Sequence, residues 1–346
     1  MISLKEIAKQ CGVSVATVSN IINGKTNVGE ETRARILKVI EETGYAPNYM
    51  ARGLRATKTQ TIGLIIDDIT SFGTPDLIEG IMEYFEKTGN KVVFENLRVY
   101  SKWPADYQNG TEAFVKAVNA AISQLLAIKV DGIIYISAHG RVINYVSNFT
   151  SVPFVICYGS SDVPDVPYVC IDDVKSSYDL VEYLISEGMT KFGVIASSKA
   201  NIHGKERLDG YKMAMEKNNI AIDEKYIVIG KWDRKTGYEC CAELFEKGFH
   251  KESGKKVIFC FNDLMAAGVY DYLNEKNIKI GEEISVVGFD DREIAAFVNP
   301  PLTTMAIPLH EIGTKSAEML VNKINGTELE KNNFAIPCRL IKRKSV

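Results

Sequence analysis

Adjacent acidic residues are the first place to look for catalytic chemistry in this chain. Aspartate pairs occupy positions 67–68, 172–173 and 290–291. Neighbouring residues of a strand point to opposite faces, so these pairs cannot form the shared carboxylate dyad of an acid–base site. The four histidines are scattered, and no nucleophile-elbow, zinc-protease, phosphate-loop or dinucleotide glycine motif occurs. The residue types and their spacing therefore indicate neither an enzyme nor a bound cofactor or metal.

Length and charge place a basic segment in front of a larger acidic one. The 346 residues have room for two or three domains, and their net charge is −3. The first 60 residues carry nine basic and five acidic side chains, a net of +4 that suits phosphate contacts. The seven cysteines form no CxxC pair or secreted framework, which indicates reduced, buried thiols. Without a signal peptide or a long apolar run, we expect a cytoplasmic protein that does not enter a membrane.

Two short helices are predicted at the N-terminus. Ser3 and Glu6 have the spacing of a capping box, and Gly12 ends the first apolar pattern. Ser14 then opens a second helix as its N-cap. The residues predicted to point inward from that second helix are Val18, Ile21 and Ile22. Two helices joined by a tight glycine-containing turn indicate a helix-turn-helix that fits the DNA major groove, the alternative being an ordinary helical hairpin.

A third helix and a long α/β segment follow. The third helix is predicted over residues 30–43 and ends at Gly44. Its inner stripe is expected to consist of Ile36, Leu37 and Ile40. From Thr61 onward, short apolar runs alternate with helical stretches, which predicts parallel sheets flanked by helices. The predicted strands lie at 62–66, 91–95, 132–136, 153–157, 192–196, 226–229, 257–261 and 284–289. These two runs of about four strands suggest two doubly wound parallel-sheet lobes.

Three segments of the chain resemble a known family. They are GVSVATVSNIING, VGEETRARI and GYAPNYMARGLRATKTQTIGLI, and they resemble the DNA-binding head and hinge of the lac-repressor/gal-repressor family of transcription regulators. The resemblance implies a helix-turn-helix head over 1–46, a hinge helix and linker over 47–60, and a body over 61–346 that is similar to type I periplasmic-binding proteins.

The resemblance also divides the body into lobes. It implies one lobe made of 61–159 plus 292–322 and another made of 162–290 plus 325–346. The chain is then expected to cross between the lobes near 159–161, 290–292 and 322–325.

The resemblance assigns DNA contacts to the head and hinge. It implies that Val15, Ala16 and Asn20 choose the operator sequence, and Asn20 has the amide that reads adenine. It also implies that Leu54 wedges between base pairs from a hinge helix formed on DNA, although a plain flexible tether is the alternative. Further candidates for phosphate contacts, capping or other DNA contacts are Ser14, Thr17, Ser19, Asn23, Tyr45, Asn48 and Arg52. One head reads only a few base pairs, so a homodimer on a near-palindromic double-stranded operator is expected, with the protein acting as a repressor.

The resemblance places an effector between the lobes. It implies that Arg207, Asn262 and Asp290 contact the ligand and that Trp232 provides an aromatic platform, a combination that suits a sugar or sugar derivative. Further candidates are Asp67, Ser71, Phe72, Tyr158 and Asp172. Alternatively, Arg207 and Asp290 only pair across the lobes, or Trp232 is ordinary core. Asp263 is predicted to be a helix N-cap rather than a ligand contact.

Several features depart from the family pattern or leave the function open. Ser176 and Asp173 replace the usual glycine and asparagine after the first lobe crossing, and Tyr158 stands where a small polar residue is common, so a purine or other non-sugar effector is the alternative. The aromatic stretch 97–110 is either a flap over the ligand, an oligomer contact or a surface loop. The resemblance implies that the segment 299–304 and the helix before it lie at the dimer interface, and a rigid turn between lobe crossings is the alternative reading of this segment. A solute-binding protein without DNA function is the rival class, but it has no use for residues 1–57.

Overall fold

The computed structural model describes residues 2–22, 28–45, 58–103, 110–144, 151–198 and 201–346. The chain divides into two compact units, a head over Met1–Thr59 and a body over Gln60–Val346. The hinge helix predicted over 48–57 lies outside the described residues. The candidate DNA contacts that also lie outside them are Asn23, Asn48, Arg52 and Leu54.

The head contains three described helices. They are α1 (Leu4–Cys11), α2 (Val15–Ile22) and α3 (Glu30–Thr43). The predicted capping box is confirmed, because the backbone N–H of Glu6 donates to Ser3 Oγ across 3.3 Å and Ser3 N–H donates to Glu6 Oε2 across 2.7 Å. Gly12 has a φ of 65°, which lets the chain leave α1 and turn within three residues into α2.

A small apolar core holds the head helices together. Ile7, Val18 and Ile36 come from the three different helices, and all are fully buried. The prediction that Leu37 faces inward is wrong, since this side chain is 45% exposed. On a helix, positions 36 and 40 share a face, whereas position 37 lies about 100° round the axis from 36, which turns Leu37 towards solvent.

The body contains two parallel sheets and one short antiparallel pair in its described residues. The strands of the first sheet are β1 (Thr61–Ile66), β2 (Lys91–Asn96), β3 (Gly132–Ile136), β4 (Phe154–Cys157), β5 (Tyr168–Ile171) and β11 (Asn333–Ile336), in the order β11-β5-β4-β3-β1-β2. The second sheet contains β6 (Lys191–Ala196), β7 (Ile227–Ile229), β8 (Lys256–Cys260) and β9 (Ser285–Val287), in the order β7-β6-β8-β9. The antiparallel pair consists of β10 (Thr304–Ala306) and β12 (Arg339–Ile341).

Helices connect these strands and pack on the sheets. In chain order they are α4 (Thr74–Thr88), α5 (Val99–Lys102), α6 (Glu112–Ala127), α7 (Asp173–Ser186), α8 (Ile202–Lys217), α9 (Arg234–Glu246), α10 (Asp263–Glu275), α11 (Ile294–Phe297) and α12 (Leu309–Ile324), with 3₁₀ turns at Glu224–Tyr226 and Phe249–Lys251. Glycine allows α4 and α12 to pack closely, because a Cβ at Gly80 would lie 2.1 Å from the carbonyl oxygen of His310. Among the described helices, none is long and apolar enough to cross a bilayer.

The lobe boundaries differ from the predicted ones. β5 pairs with β4, and β11 pairs with β5, so both strands belong to the first lobe. The chain therefore leaves that lobe after Ile171 rather than near 159–161, and it leaves again after Ile336 rather than near 322–325. It returns to the first lobe between Phe297 and Leu309, because α11 packs on α10 and α12 packs on α4.

The cysteines are free thiols, as their sequence context predicts. Six of the seven are buried, and Cys170 is half-buried at the edge of a cavity between the lobes. Burial raises the pKa of Cys157 and of Cys170 to about 12, which keeps both thiols protonated near neutral pH.

Candidate DNA-reading helix and ligand cavity

The first turn of α2 presents small side chains to solvent. Ser14 caps this helix, since its Oγ accepts from the backbone N–H of Thr17 across 3.1 Å and lies 2.8 Å from Thr17 Oγ1. Val15 is 40% exposed and Ala16 is also exposed, while Val18 is fully buried. The helix thus turns one face into the head core and leaves the opposite face available to a groove.

The other predicted head contacts lie at the edge of this face or beyond it. Ser19 and Asn20 are half-buried on α2. Tyr45 follows α3, where it packs against the head core and its backbone N–H donates to the carbonyl of Ile40 across 3.2 Å. In this geometry Ser14 and Thr17 stabilise the start of α2. The groups left for contact with bases are the apolar side chains of Val15 and Ala16 and the amide of Asn20.

A cavity of about 260 Å³ lies between the two lobes of the body. It is bounded by chain segments that follow the carboxyl ends of strands from both sheets, the edge where doubly wound folds bind ligands. Six of the predicted effector residues line it, namely Phe72, Tyr158, Arg207, Trp232, Asn262 and Asp290. Six residues that the sequence did not single out as contacts also line it, namely Ala138, His139, Asn201, His203, Lys231 and Arg292.

Arg207 is the central charge of the cavity, although only 2% of it is exposed. Its Nε donates to Asp173 Oδ1 across 2.7 Å, its Nη1 donates to the carbonyl of Phe261, and Nη1 lies 3.6 Å from Asp290 Oδ1. Burial opposes the charged guanidinium, but Asp173 and Asp290 outweigh it and raise the pKa of Arg207. Burial also opposes the charged carboxylate of Asp173, but the neighbouring cations, led by Arg207, lower the pKa of Asp173 to about 2.

Asp290 and Arg292 form the opposite charged wall. Arg292 Nε donates to Asp290 Oδ2 across 3.0 Å, and the guanidinium carbon of Arg292 lies 3.9 Å from the ring centre of Phe72. Burial raises the pKa of Asp290 above its ordinary value, although Arg207 and Arg292 act in the opposite direction. Arg207 and Asp290 do pair, at 3.6 Å, but within the second lobe rather than across the lobes as the alternative had it, and both groups border the cavity.

Asn262, rather than Asp263, caps α10. Asn262 Oδ1 accepts from the N–H of Met265 across 2.8 Å, and Asn262 Nδ2 donates to the carbonyl of Trp232 across 2.9 Å. The prediction that Asp263 is the N-cap is wrong. Asp263 instead accepts from Thr304 Oγ1 across 2.6 Å and from the N–H of Arg292 across 2.7 Å, and these bonds anchor the Asp290–Arg292 turn.

Three cavity residues have a left-handed backbone. The φ angles are 64° at Tyr158, 67° at Trp232 and 109° at Asp290. Residues with a Cβ rarely adopt these values, which cost on the order of 1–3 kcal/mol each and persist where the surrounding structure enforces them. Because all three border the same cavity, these backbone conformations direct their side chains to the cavity at a cost in local stability.

Two predicted effector contacts lie outside this cavity. Ser71 Oγ lies 2.8 Å from Tyr100 Oη and donates to the carbonyl of Ala138 across 3.0 Å, so it supports the cavity wall from behind. Asp172 caps α7 through the N–H of Lys175 at 2.9 Å and lines a neighbouring cavity of about 270 Å³. Asp67, the further candidate, is buried and accepts from Ala138 N–H across 2.9 Å and from Arg141 Nη2 across 3.0 Å.

The aromatic stretch after β2 supports the cavity in its described part. α5 brings Tyr100 to His139, with 2.9 Å between Tyr100 Oη and His139 Nε2. The N–H of Tyr100 donates to Asp68 Oδ2 across 3.1 Å, and Trp103 packs edge-on against Phe114. The remainder of the stretch, residues 104–109, lies outside the described residues, so its predicted role as a flap stays a prediction.

His139 and His203 are two titratable residues of the cavity that sequence reasoning missed. They are 64 positions apart in the chain and border the same cavity because the two lobes lie side by side. Their positions in the chain could have indicated them. His139 comes three residues after β3, and His203 lies in the first turn of α8, which follows β6. Doubly wound folds bind ligands at these carboxyl ends of the strands. Among the described residues, no group of histidine, cysteine and acidic side chains could hold a metal ion.

Comparison with known proteins agrees with this division into head and body. Residues 3–48 match the bacterial regulatory proteins of the lacI family, and residues 181–346 match the periplasmic binding protein-like domain. The HTH-type transcriptional regulator RegA of Clostridium saccharobutylicum is 30% identical over 345 residues, covering 99% of this chain and 98% of that protein. The HTH-type transcriptional repressor PurR of Vibrio atlanticus is 28% identical over 348 residues, covering 100% and 99%.

A solved structure shows the same fold. It is that of the lac repressor dimer bound to operator and the anti-inducer ONPF, with a TM-score of 0.81 at 24% identity over 99% of this chain and 98% of that one. A helix-turn-helix head joined to a two-lobed ligand-binding body defines a DNA-binding transcription regulator. The chain belongs to the lacI family of bacterial regulatory proteins, which are repressor-like regulators and not enzymes. The resemblance and the fold class predicted from the sequence are thereby confirmed.

Proposed function

We propose that this regulator acts in the cytoplasm as a homodimeric repressor that binds a near-palindromic operator and responds to a small polyhydroxylated ligand, a sugar or sugar derivative. Two heads on a symmetric dimer read two half-sites, and each head alone contacts only a few base pairs. The solved relative is a dimer on its operator, which supports this assembly. The segment 299–304 and the exposed Phe297 before it remain our candidates for the dimer contact.

The single observation that carries the ligand class is the mixture of groups around one small cavity. Arg207 and Arg292 are donors, Asp290 is an acceptor, Asn262 is an amide, and Trp232 offers an aromatic face. Alternating hydroxyl groups of a sugar can satisfy such donors and acceptors, while its C–H face packs on the indole. The volume of about 260 Å³ lies just below the usual range of ligand pockets, roughly 300 to 1,000 Å³, which favours a small ligand.

A planar heterocycle such as a purine is the second candidate. Phe72 from the first lobe and Trp232 from the second both line the cavity, and a flat ring could stack between two such side chains. We favour the sugar because the face of Phe72 is already covered by the guanidinium of Arg292 at 3.9 Å. The alternative class, a solute-binding protein without DNA function, is not supported, because the head places it among DNA-binding regulators.

A thermal-shift screen of sugars, sugar phosphates and purines tests this proposal. A ligand at 100 times its Kd should stabilise the folded body by about 2.7 kcal/mol. We expect a shift with at least one sugar or sugar phosphate and a changed affinity for operator DNA in its presence. A shift with purines alone would replace the sugar by the heterocycle. Tight binding without any change in DNA affinity would contradict the regulatory proposal.

A further inference from the structure

One side chain bridges the two lobes across the ligand cleft. Gly140 follows β3 in the first lobe, and His203 lies in the first turn of α8 in the second. The N–H of Gly140 donates to Nε2 of His203 across 2.8 Å. This hydrogen bond is separate from the segments where the backbone itself crosses between the lobes, so it is an additional, non-covalent link between them.

The bridge requires one tautomer of the histidine. A backbone N–H can only donate, so Nε2 of His203 must present its lone pair and the proton must sit on Nδ1. Nδ1 then donates to Asp173 Oδ2 across 2.5 Å. The carboxylate of Asp173 therefore orients the ring and keeps Nε2 directed at the first lobe.

The bridge also requires a glycine. A Cβ at position 140 would lie 2.4 Å from Cε1 and 2.5 Å from Nε2 of His203, far inside van der Waals contact. His203 is only 9% exposed, and its hydrogen bond to Asp173 holds the ring in this position. Any other residue at position 140 would consequently push the two lobes apart or displace the ring.

The bridge is connected to the groups proposed to hold the ligand. His203 lines the cavity beside Arg207, and Asp173 accepts from both of them, with 2.7 Å to Arg207 Nε. A ligand that engages Arg207 thus acts two hydrogen bonds away from the Gly140 contact. Hydrogen bonds in a buried network strengthen one another, so a new partner for Arg207 also affects the hydrogen bond between His203 and Gly140.

We propose that the Gly140–His203 hydrogen bond is the latch that holds the lobes in the orientation seen here, with His203 as its positioning residue. The regulatory half of this inference rests on the proposed function, because lobe orientation controls operator affinity only in a ligand-responsive DNA-binding protein. The latch gives the body two states that differ in this contact, and ligands shift the balance by favouring one of them.

Exchange of the Gly140 amide proton in the full chain, without DNA or ligand, tests the latch itself. His203→Ala removes the acceptor and should speed this exchange about fivefold or more, the effect of losing one hydrogen bond. His203→Gln keeps an acceptor and should retain most of the protection. Lys205→Ala is the matched control, because Lys205 lies on the same helix as His203 with an exposed side chain outside the cavity and should leave the exchange unchanged. Unchanged exchange in His203→Ala, or equal acceleration in Lys205→Ala, would overturn the latch.

Small-angle scattering of glycine variants gives a second reading. Gly140→Ala should increase the radius of gyration of the full chain to the same extent as His203→Ala. The double variant should match His203→Ala alone, because the new methyl group then has no ring to strike. Additive increases would show that Gly140 acts through its backbone and not through His203, which would overturn the latch.

Affinity for an oligonucleotide selected by the wild-type protein separates the latch from the regulator. We expect His203→Ala and Gly140→Ala to change this affinity about fivefold or more while Lys205→Ala does not. If His203→Ala speeds the exchange of the Gly140 amide but leaves the DNA affinity unchanged, the latch does not control operator binding, and the regulatory half of the inference is wrong. Failure of the wild-type protein to select any sequence would instead contradict the proposed function and leave the exchange result standing.

Discussion

Arg207 and Asp173 form a buried ion pair in which Nε of the arginine lies 2.7 Å from Oδ1 of the aspartate. Both residues come from helices of the second lobe, and both are at most 2% exposed. The guanidinium is therefore oriented before any ligand arrives. A pre-oriented donor loses little conformational freedom on binding, which favours a cavity that discriminates between ligands by geometry.

Removing Arg207 should destabilise the body. Arg207→Met leaves the buried carboxylates of Asp173 and Asp290 without the cation that pairs with both. We therefore expect the free energy of unfolding to fall by about 3 kcal/mol. Urea denaturation of the body measures this change. Arg234→Met is the matched control, because Arg234 pairs with Asp271 at 2.5 Å on the surface and should cost less than about 1 kcal/mol. Equal losses of unfolding free energy in the two variants would show that the buried ion pair contributes no more to stability than the surface pair does.

Changing the exposed face of α2 should alter which DNA sequence is chosen. Asn20→Ala removes the amide predicted to read an adenine, and we expect a loss of about 1–3 kcal/mol of discrimination at one base pair of each half-site. Selection from random oligonucleotides followed by binding assays measures it. Leu37→Ala serves as the control, since Leu37 is exposed on α3 rather than on α2. If Asn20→Ala weakens all sequences equally, the side chain contacts phosphate and not a base.

Acid should weaken the body through His139. Burial, followed by the nearby His203 and Arg141, lowers the pKa of His139 from 6.5 to about 4. The unfolded chain then binds the proton first, so the free energy of unfolding should decrease as pH falls from about 6.5 to 4. His139→Gln keeps a partner for Tyr100 but does not titrate. We expect this variant to lose about 3 kcal/mol less than wild type over that pH range.

Denaturation curves of both proteins at pH 7, 6, 5 and 4 measure the difference. Carboxylates titrate equally in the two chains, so the difference between them isolates the histidine. Parallel stability profiles for wild type and His139→Gln would mean that His139 is accessible enough to be protonated in the folded body.

The predictability of the fold depended on burial. β1, β3 and β8 are continuous apolar runs because both faces of the central sheets are covered, and their positions followed directly from the sequence. β5 and β11 escaped detection because each has only four residues and neither is continuously buried: β5 alternates between half-buried and buried positions, and β11 between exposed and half-buried ones. These two strands determine which lobe each chain crossing belongs to. The error in the lobe boundaries therefore came from the least apolar strands.

The ligand cavity was predictable at the positions that match a family motif, and it was not predictable where two neighbouring side chains could fill the same structural role. The family resemblance implied ligand contacts for Arg207, Asn262 and Asp290, and the structure brings all three to one cavity. That Asn262 rather than Asp263 caps α10 was beyond the sequence, because either side chain can cap a helix. Only the packed structure shows that Asp263 is directed at Thr304 and Arg292 instead.

The most direct test of the whole account is the affinity of the full chain for its selected operator, measured with and without the ligand that the thermal-shift screen identifies. We predict sequence-specific binding that changes at least tenfold with that ligand, equivalent to about 1.4 kcal/mol of coupling between the two sites. Binding that shows no preference among sequences, or a preference that saturating ligand leaves unchanged, would contradict it.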